Sequence, residues 1–182
     1  MLSSRAMLTT TSNRRPRQEP LPQRLSGLPP VITRNCTLLV LGSFPSAASL
    51  ASQQYYAHPQ NRFWPIMSAC LGVDLMPLPY PARSLAVNAA GIGIWDVYES
   101  CERAGSLDSA IRNAAFNDFA RVRRAAPRLR HVCFNGAAAA KAVRHLAALG
   151  FAAHCLPSTS PANASQSLDF KLAQWRTALE RR

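Results

Sequence analysis

Apolar residues along the chain alternate between short continuous runs and longer stretches with helical spacing. Four short, mostly apolar runs are typical of strands buried in a parallel sheet: residues 37–41, 92–95, 131–134 and 151–156. A glycine, a proline or a polar residue follows each of them at once. We therefore predict four strands, each with a turn or loop directly behind it.

Helical patterns fill the intervals between these runs. One helix carries an apolar face from Phe63 to Leu71 and ends at Gly72. The other predicted helices are residues 82–90, a segment capped by Asn117 that ends at Pro127, residues 137–149, and a last helix with Leu168, Leu172, Trp175 and Leu179 on one face. This alternation predicts an α/β fold, a three-layer α/β/α sandwich with a four-stranded parallel central sheet.

Composition changes the picture at the start of the chain. Residues 1–30 hold five arginines and a single acid among Ser, Thr, Pro and Gln. Such a segment buries too little apolar surface to fold, so we expect a disordered basic arm over residues 1–30 and one domain over residues 31–182. The arm lacks the apolar region of a secretory signal, whereas organellar targeting stays open. Without a run of 18 apolar residues, we expect no transmembrane helix and no membrane partner. Five widely separated cysteines are typical of reduced thiols in a cytosolic protein, and we expect a cytoplasmic monomer.

The net charge and the spacing of cysteines and histidines indicate which partners and ligands the protein binds. The 182 residues carry a formal net charge of +12, which favours a nucleic acid through counterion release. A high genomic GC content would also produce the excess of arginine over lysine, and the basic run over residues 121–130 is either a solvated helix face or a phosphate contact. Because no CxxC or HExxH spacing occurs, we expect no metal and no cofactor.

Polar and small residues cluster where the predicted strands end, at residues 42–46, at Asp96, at residues 135–136 and at residues 157–163. Turn chemistry alone would account for any one cluster. However, the carboxyl ends of parallel strands lie along one edge of a sheet, where open α/β folds bind ligands. The four clusters together predict a single cleft.

The most distinctive stretch runs from Tyr55 to Trp64. In a purely structural interpretation, Asn61 caps the following helix, and Phe63 and Trp64 enter the core. This interpretation gives no structural reason for Tyr55 and Tyr56 in the loop. Aromatic loop residues beside basic ones suit stacking on nucleobases, which contributes about 1–3 kcal/mol per base.

Taken together, these segments resemble the uracil-DNA glycosylase superfamily, most closely its hypoxanthine-DNA (deoxyinosine) glycosylase branch. The resemblance lies in segments that occur in order between about residues 36 and 180: residues 42–46, 54–64, 91–97, 106–111, 134–136 and 156–163. The mismatch-specific uracil glycosylases share the pattern aromatic-Ala-His-Pro-x-Asn-Arg-Phe-Trp. In those relatives a catalytic asparagine stands where this chain has Phe44.

The resemblance implies a catalytic domain over residues 31–182 and roles for individual residues. Asn61, in the His-Pro-x-Asn pattern, would be the catalytic residue that holds a water at the sugar. The extruded base would stack on Tyr56, and backbone groups would bind its polar edge. The full set of base-binding residues would be Gly42, Ser43, Phe44, Tyr56 and Asn135. The residues expected to contact DNA where the base leaves are Ser158, Ser160, Pro161, Ala162 and Asn163.

The implied activity is that of a monofunctional DNA glycosylase in base-excision repair. Its substrate would be DNA that contains a deaminated base, namely hypoxanthine, uracil or xanthine. A lyase mechanism needs an amine nucleophile, and the only lysines, Lys141 and Lys171, fall in predicted helices away from the cleft.

Other functions stay open. One is a G/U mismatch-specific uracil glycosylase. Another is a non-catalytic nucleic-acid-binding module on the same fold, because this chain has Phe44 in place of the catalytic asparagine of the mismatch-specific relatives. A small-molecule hydrolase that uses Ser43 or Ser158 is disfavoured, since no His–acid pair accompanies either serine.

Overall fold

The computed structural model describes residues 24–181, so residues 1–23 of the predicted basic arm lie outside the described residues. The strands are β1 (Arg24–Ser26), β2 (Leu38–Gly42), β3 (Ile92–Asp96), β4 (Tyr98–Glu102), β5 (Arg112–Phe116), β6 (His131–Asn135) and β7 (Ala152–Leu156). The α-helices are α1 (Ala47–Ser52), α2 (Phe63–Leu71), α3 (Tyr80–Ala89), α4 (Phe119–Ala125), α5 (Ala137–Ala140), α6 (Val143–Ala148) and α7 (Leu168–Leu179), with a short 3₁₀ turn at Asp108–Ala110.

Four strands form the central parallel sheet in the order β3-β2-β6-β7. Val40 of β2 lies in register between Ile94 of β3 and Cys133 of β6. Every residue of β2 and β3 is buried. Because successive side chains of a strand point to opposite faces, this burial requires cover on both faces of the sheet. The predicted three-layer α/β/α fold with a four-stranded parallel sheet is confirmed.

The helices follow the predicted pattern with three differences, of which the first is that helix α1 was not predicted. Helix α4 is capped by the Asp118 side chain, which accepts from the backbone N–H of Arg121; Asn117 is buried and its amide instead donates to the Asp96 carbonyl. The alanine-rich segment predicted as one helix over residues 137–149 is two helices, α5 and α6. No helix in the described part is long and apolar enough to cross a membrane.

A second, antiparallel sheet of order β1-β4-β5 was not expected. Its first strand lies within the segment assigned to the basic arm. Leu28 is buried just behind that strand, and its carbonyl accepts from the Tyr55 hydroxyl at 3.0 Å and the Trp95 indole N–H at 3.1 Å. The assignment of residues 24–30 to a disordered arm is therefore corrected, because they pair with β4 and contribute to the core.

Candidate active site

A narrow pocket of about 80 Å³ lies at the carboxyl ends of β2, β3 and β6. The predicted cleft residues Gly42, Ser43, Phe44, Tyr56, Asn61, Asn135, Ser158 and Ser160 all line it. A larger cavity of about 720 Å³ lies beside β1, but none of the predicted site residues lines it. The convergence of loops at this edge of the sheet, and not cavity size, therefore marks the candidate site.

Asn61 is held by its own loop. Its side-chain oxygen accepts from the backbone N–H of Phe63 at 2.9 Å, and its backbone N–H donates to the His58 carbonyl at 2.8 Å. An amide oxygen has two lone pairs, so this bond leaves one acceptor position for a further ligand such as water. The Asn61 side chain is thus oriented before any ligand binds.

Tyr56 combines an aromatic face with backbone strain. Its ring stacks on Phe63 with centroids 3.8 Å apart and planes inclined by 22°. The backbone has a φ of 56°, which for a non-glycine residue costs roughly 1–3 kcal/mol and persists only where the surrounding structure enforces it. Its buried hydroxyl has no hydrogen-bond partner among the described residues. Burial, and then the nearby Asp96 carboxylate, raises the pKa of Tyr56 above its usual range.

Asn135 lines the pocket, and each end of its amide already makes one hydrogen bond to Thr159. Its Nδ2 donates to Thr159 Oγ1 at 2.9 Å, and its Oδ1 accepts from the Thr159 backbone N–H at 2.9 Å. Thr159 is completely buried. These two bonds connect the end of β6 to the loop after β7, so Asn135 holds that loop against the pocket.

The side chain of Phe44 is buried and carries no polar group into the pocket. The Arg103 guanidinium lies 5.0 Å from the centre of its ring, and the same guanidinium donates to the Pro45 carbonyl. Ser43, the preceding residue, donates its hydroxyl hydrogen to Asp108. Residues 42–46 therefore offer the pocket mainly backbone groups.

The loop after β7 extends beyond the pocket. Ser158 and Ser160 line the pocket, whereas Pro161 and Asn163 line a neighbouring cavity and Ala162 is exposed beside them. The five predicted DNA contacts lie on one turn, in which Ser160 lines both the pocket and the neighbouring cavity. Pro161 and Ala162 are the exposed ones among these five residues.

Lys171 corrects one expectation. It lies in α7 as predicted, but it is buried against this loop, where its Nζ donates to the Asn163 carbonyl at 2.6 Å. Burial and the nearby Arg62 guanidinium lower its pKa. Lys171 also lines the neighbouring cavity, which shares Ser160 with the pocket. It is therefore close to the cleft, in contrast to the exposed Lys141.

Two carboxyl groups in the pocket have no role in the sequence-based assignment. Asp96 ends β3 and is only 3% exposed; burial, and then the Asp108 carboxylate, raises its pKa to about 8, while Arg103 opposes this shift. Asp108 is exposed and accepts the Ser43 hydroxyl. The position of Asp96 at a strand end was the available signal for it, and Asp108 lies in the motif segment 106–111.

A parallel sheet with one polar pocket at its carboxyl edge defines a class of ligand-binding α/β proteins, and comparisons identify the family within it. The profile of the Uracil DNA glycosylase superfamily matches residues 29–180. The chain belongs to this superfamily and is an enzyme of the DNA glycosylase class.

Relatives with known names support a specific branch. The chain is 37% identical over 155 residues to "Hypoxanthine DNA glycosylase" of Methanosarcina barkeri, which covers 85% of this chain and 98% of the relative. It is 38% identical over 137 residues to the protein of the same name from Methanosarcina acetivorans, and the match covers 75% of this chain and 87% of that relative. A solution NMR structure of a candidate uracil DNA glycosylase from Methanosarcina acetivorans superposes with a TM-score of 0.79 at 34% identity, covering 87% of this chain and 98% of that one.

Proposed function

We propose that this DNA glycosylase is monofunctional and removes deaminated bases from DNA, with hypoxanthine as its principal substrate and uracil and xanthine as further candidates. The observation that carries the proposal is that Asn61 and Tyr56 line the same narrow pocket at the carboxyl edge of the sheet. The two relatives named hypoxanthine DNA glycosylase support the choice of base.

The pocket suits a nucleotide taken out of the duplex. Extrusion costs a few kcal/mol, and least for a mispaired base. One face of Tyr56 is already covered by Phe63, which fixes the ring as a plate for the base. The exposed Pro161 and Ala162 would occupy the space that the nucleotide leaves, because the loop that carries them is held by Thr159 and Lys171.

Hydrolysis of the N-glycosidic bond develops positive charge on the sugar and negative charge on the departing base. Asn61 would hold the attacking water with the free lone pair of its amide oxygen, which is a matter of orientation because a neutral amide is a weak base. Backbone N–H groups after β2 would stabilise the departing base. Both tasks rest on groups whose positions are set before substrate binds.

The proposal of a monofunctional enzyme rests on the engagement of Lys171. A lyase step requires a free amine that attacks the sugar aldehyde. The Lys171 amine is buried and bonded to the Asn163 carbonyl, so it is withdrawn from that role. We expect no covalent enzyme–DNA adduct after borohydride treatment; a trapped adduct that disappears in a Lys171→Ala variant would contradict this part of the proposal.

A panel of duplexes tests the substrate. Each duplex carries one uracil, hypoxanthine or xanthine, and alkali after incubation cuts the strand wherever a base has been removed. We expect cleavage of the hypoxanthine duplex at the highest rate. Cleavage of only a G/U duplex would assign the protein to the mismatch-specific uracil glycosylases, and DNA binding without any cleavage would assign it to non-catalytic binding modules.

A further inference from the structure

Asp96 occupies space that Gly42 leaves open. A Cβ atom added to Gly42 would collide with Asp96 Oδ1 and would lie 3.4 Å from the Tyr56 hydroxyl oxygen. The absence of a side chain at position 42 therefore lets the Asp96 carboxyl and the Tyr56 hydroxyl approach the same part of the pocket floor.

Both of these groups contain a buried polar atom with nothing to bind. Within residues 24–181, Asp96 Oδ2 and the Tyr56 hydroxyl have no hydrogen-bond partner, although both residues line the pocket. Buried polar atoms in folded proteins are almost always paired, with protein, water or ligand. Two unpaired atoms at the floor of one pocket point to a polar ligand that pairs with them.

The surroundings of Asp96 favour its neutral form. Burial is the largest effect, the Asp108 carboxylate adds to it, and the two buried tyrosines Tyr55 and Tyr56 supply no positive charge. The opposing charge is Arg103, whose guanidinium donates to the Pro45 carbonyl and covers Phe44. The resulting pKa of Asp96, about 8, leaves a carboxylic acid at neutral pH.

We propose that Asp96 is a catalytic residue of the glycosylase reaction: its neutral carboxyl donates a hydrogen bond, and then its proton, to the base as the base departs. This inference rests on the proposed function. The C1′–N bond breaks and its electron pair moves onto the base, which takes the Asp96 proton at a ring nitrogen or carbonyl oxygen. The oxygen of the attacking water bonds to C1′, and the proton it releases reaches the Asp96 carboxylate through solvent.

Other side chains in the pocket are poorer donors for this step. Asn61 has no dissociable proton in this pH range, and the pKa of Tyr56 is raised far above neutrality. Asp108 is exposed and already accepts the Ser43 hydroxyl. Asp96 combines a proton with a position at the pocket floor, and a positioned acid contributes about 10²–10⁴-fold to a rate.

The test is the single-turnover rate of base release from a hypoxanthine duplex as a function of pH, for wild type and Asp96→Asn. The rate of base release by wild type should be constant near neutrality and should fall about tenfold per pH unit above pH 8. Asp96→Asn should be at least about 10²-fold slower at pH 7, without that alkaline decline, while duplex affinity stays unchanged. Asp118→Asn is the matched control, because Asp118 is exposed and Asn also caps helices.

The possible failures are distinguishable. If wild type releases no base from any duplex, the proposed function is overturned and this inference with it. If wild type is active and Asp96→Asn is within twofold of it, the inference alone is overturned. Should Asp96→Asn fail to fold, the wild-type profile decides by itself, since a rate that stays constant from pH 6 to pH 9 excludes a neutral Asp96 as the donor.

Discussion

In the proposed mechanism, Asn61 and Asp96 divide the chemistry of the pocket between them. The amide of Asn61 is neutral and fixed by the Phe63 N–H, so it orients a ligand but exchanges no proton. Asp96, the proposed proton donor to the departing base, keeps its proton because its surroundings disfavour the charged carboxylate. Such a division separates water positioning from leaving-group stabilisation.

The buried carboxyl of Asp96 should make stability depend on pH. Its pKa is about 8 in the folded protein, against roughly 3.9 for an unfolded Asp. Between these values the unfolded chain releases a proton that the folded protein keeps, so folding loses stability as the pH rises; above pH 8 both states are ionised. Relative to wild type, Asp96→Asn should therefore gain stability from about pH 4 to pH 8.

Urea unfolding of both proteins at several pH values measures this effect. As the pH rises from 5 to 7, the unfolding free energy of Asp96→Asn should increase relative to that of wild type. A difference that stays the same over this interval contradicts a neutral, buried Asp96, whatever the offset between the two proteins.

Individual site residues were predictable where a local pattern marks them. Asn61 and Tyr56 lie in one short stretch, and the structure brings both to the same pocket. Asp96 was visible only as a polar residue at a strand end. Gly42, which leaves room for its carboxyl, and Asp108, whose charge raises its pKa, come from other parts of the chain. The partner of Asn135, Thr159, is likewise set by tertiary contact.

Several hydrogen bonds anchor the loop that follows β7, among them one from the Trp175 indole N–H to the Pro157 carbonyl at 3.0 Å. Asn135 binds Thr159 through both ends of its amide, the Thr159 carbonyl accepts from the Arg62 backbone N–H at 2.9 Å, and Lys171 donates to Asn163. A hydrogen bond that involves a charged group contributes about 1.5–3 kcal/mol. Lys171 thus holds the outer end of the loop, next to the exposed Pro161 and Ala162.

Loss of this anchor should affect duplex substrates most. In Lys171→Ala the loop fills the vacated space in the duplex less well, and we expect base release from a hypoxanthine duplex to fall about tenfold. Release from a single-stranded substrate should change much less, because little pairing is broken there. Rates on both substrates measure this, with Lys141→Ala on the exposed lysine as the control. Equal losses on the two substrates would show that Lys171 does not act through the loop.

The elements of the central sheet were predictable because their strands are continuous apolar runs. The antiparallel sheet was not, since β4 and β5 carry charged residues and are largely exposed or half-buried. Neither strand shows the regular alternation that predicts a half-buried strand. Pairing between distant segments, with irregular register between β4 and β5, creates this sheet.

The charge of the molecule as a whole is distributed unevenly with respect to the pocket. The basic run over residues 121–130 leads into the amino end of β6, whereas the pocket lies at the carboxyl end of that strand. Arg123 donates to the Leu149 carbonyl at the end of α6, and Arg130 donates to the Pro127 carbonyl. Between the two open interpretations of this run, its position favours a solvated face. Arg62, in contrast, is exposed beside the pocket.

Salt dependence should reflect this distribution. Arg62→Ala is expected to weaken DNA binding to the same extent for different sequences, and to reduce the slope of log affinity against log salt by about 1, as for the loss of one phosphate contact. Arg128→Ala, an exposed residue at the opposite edge of the sheet, serves as the control and should leave both quantities unchanged. A larger effect at Arg128 than at Arg62 would place the DNA on the other side of the molecule.

The most direct test of the central claim is the release of free hypoxanthine from a deoxyinosine duplex by Asn61→Ala under single-turnover conditions. The account predicts that release is abolished while affinity for the duplex is largely retained, and that Asn35→Ala, an exposed asparagine at the amino edge of the sheet, behaves as wild type. An Asn61→Ala protein that releases the base at the wild-type rate would contradict it.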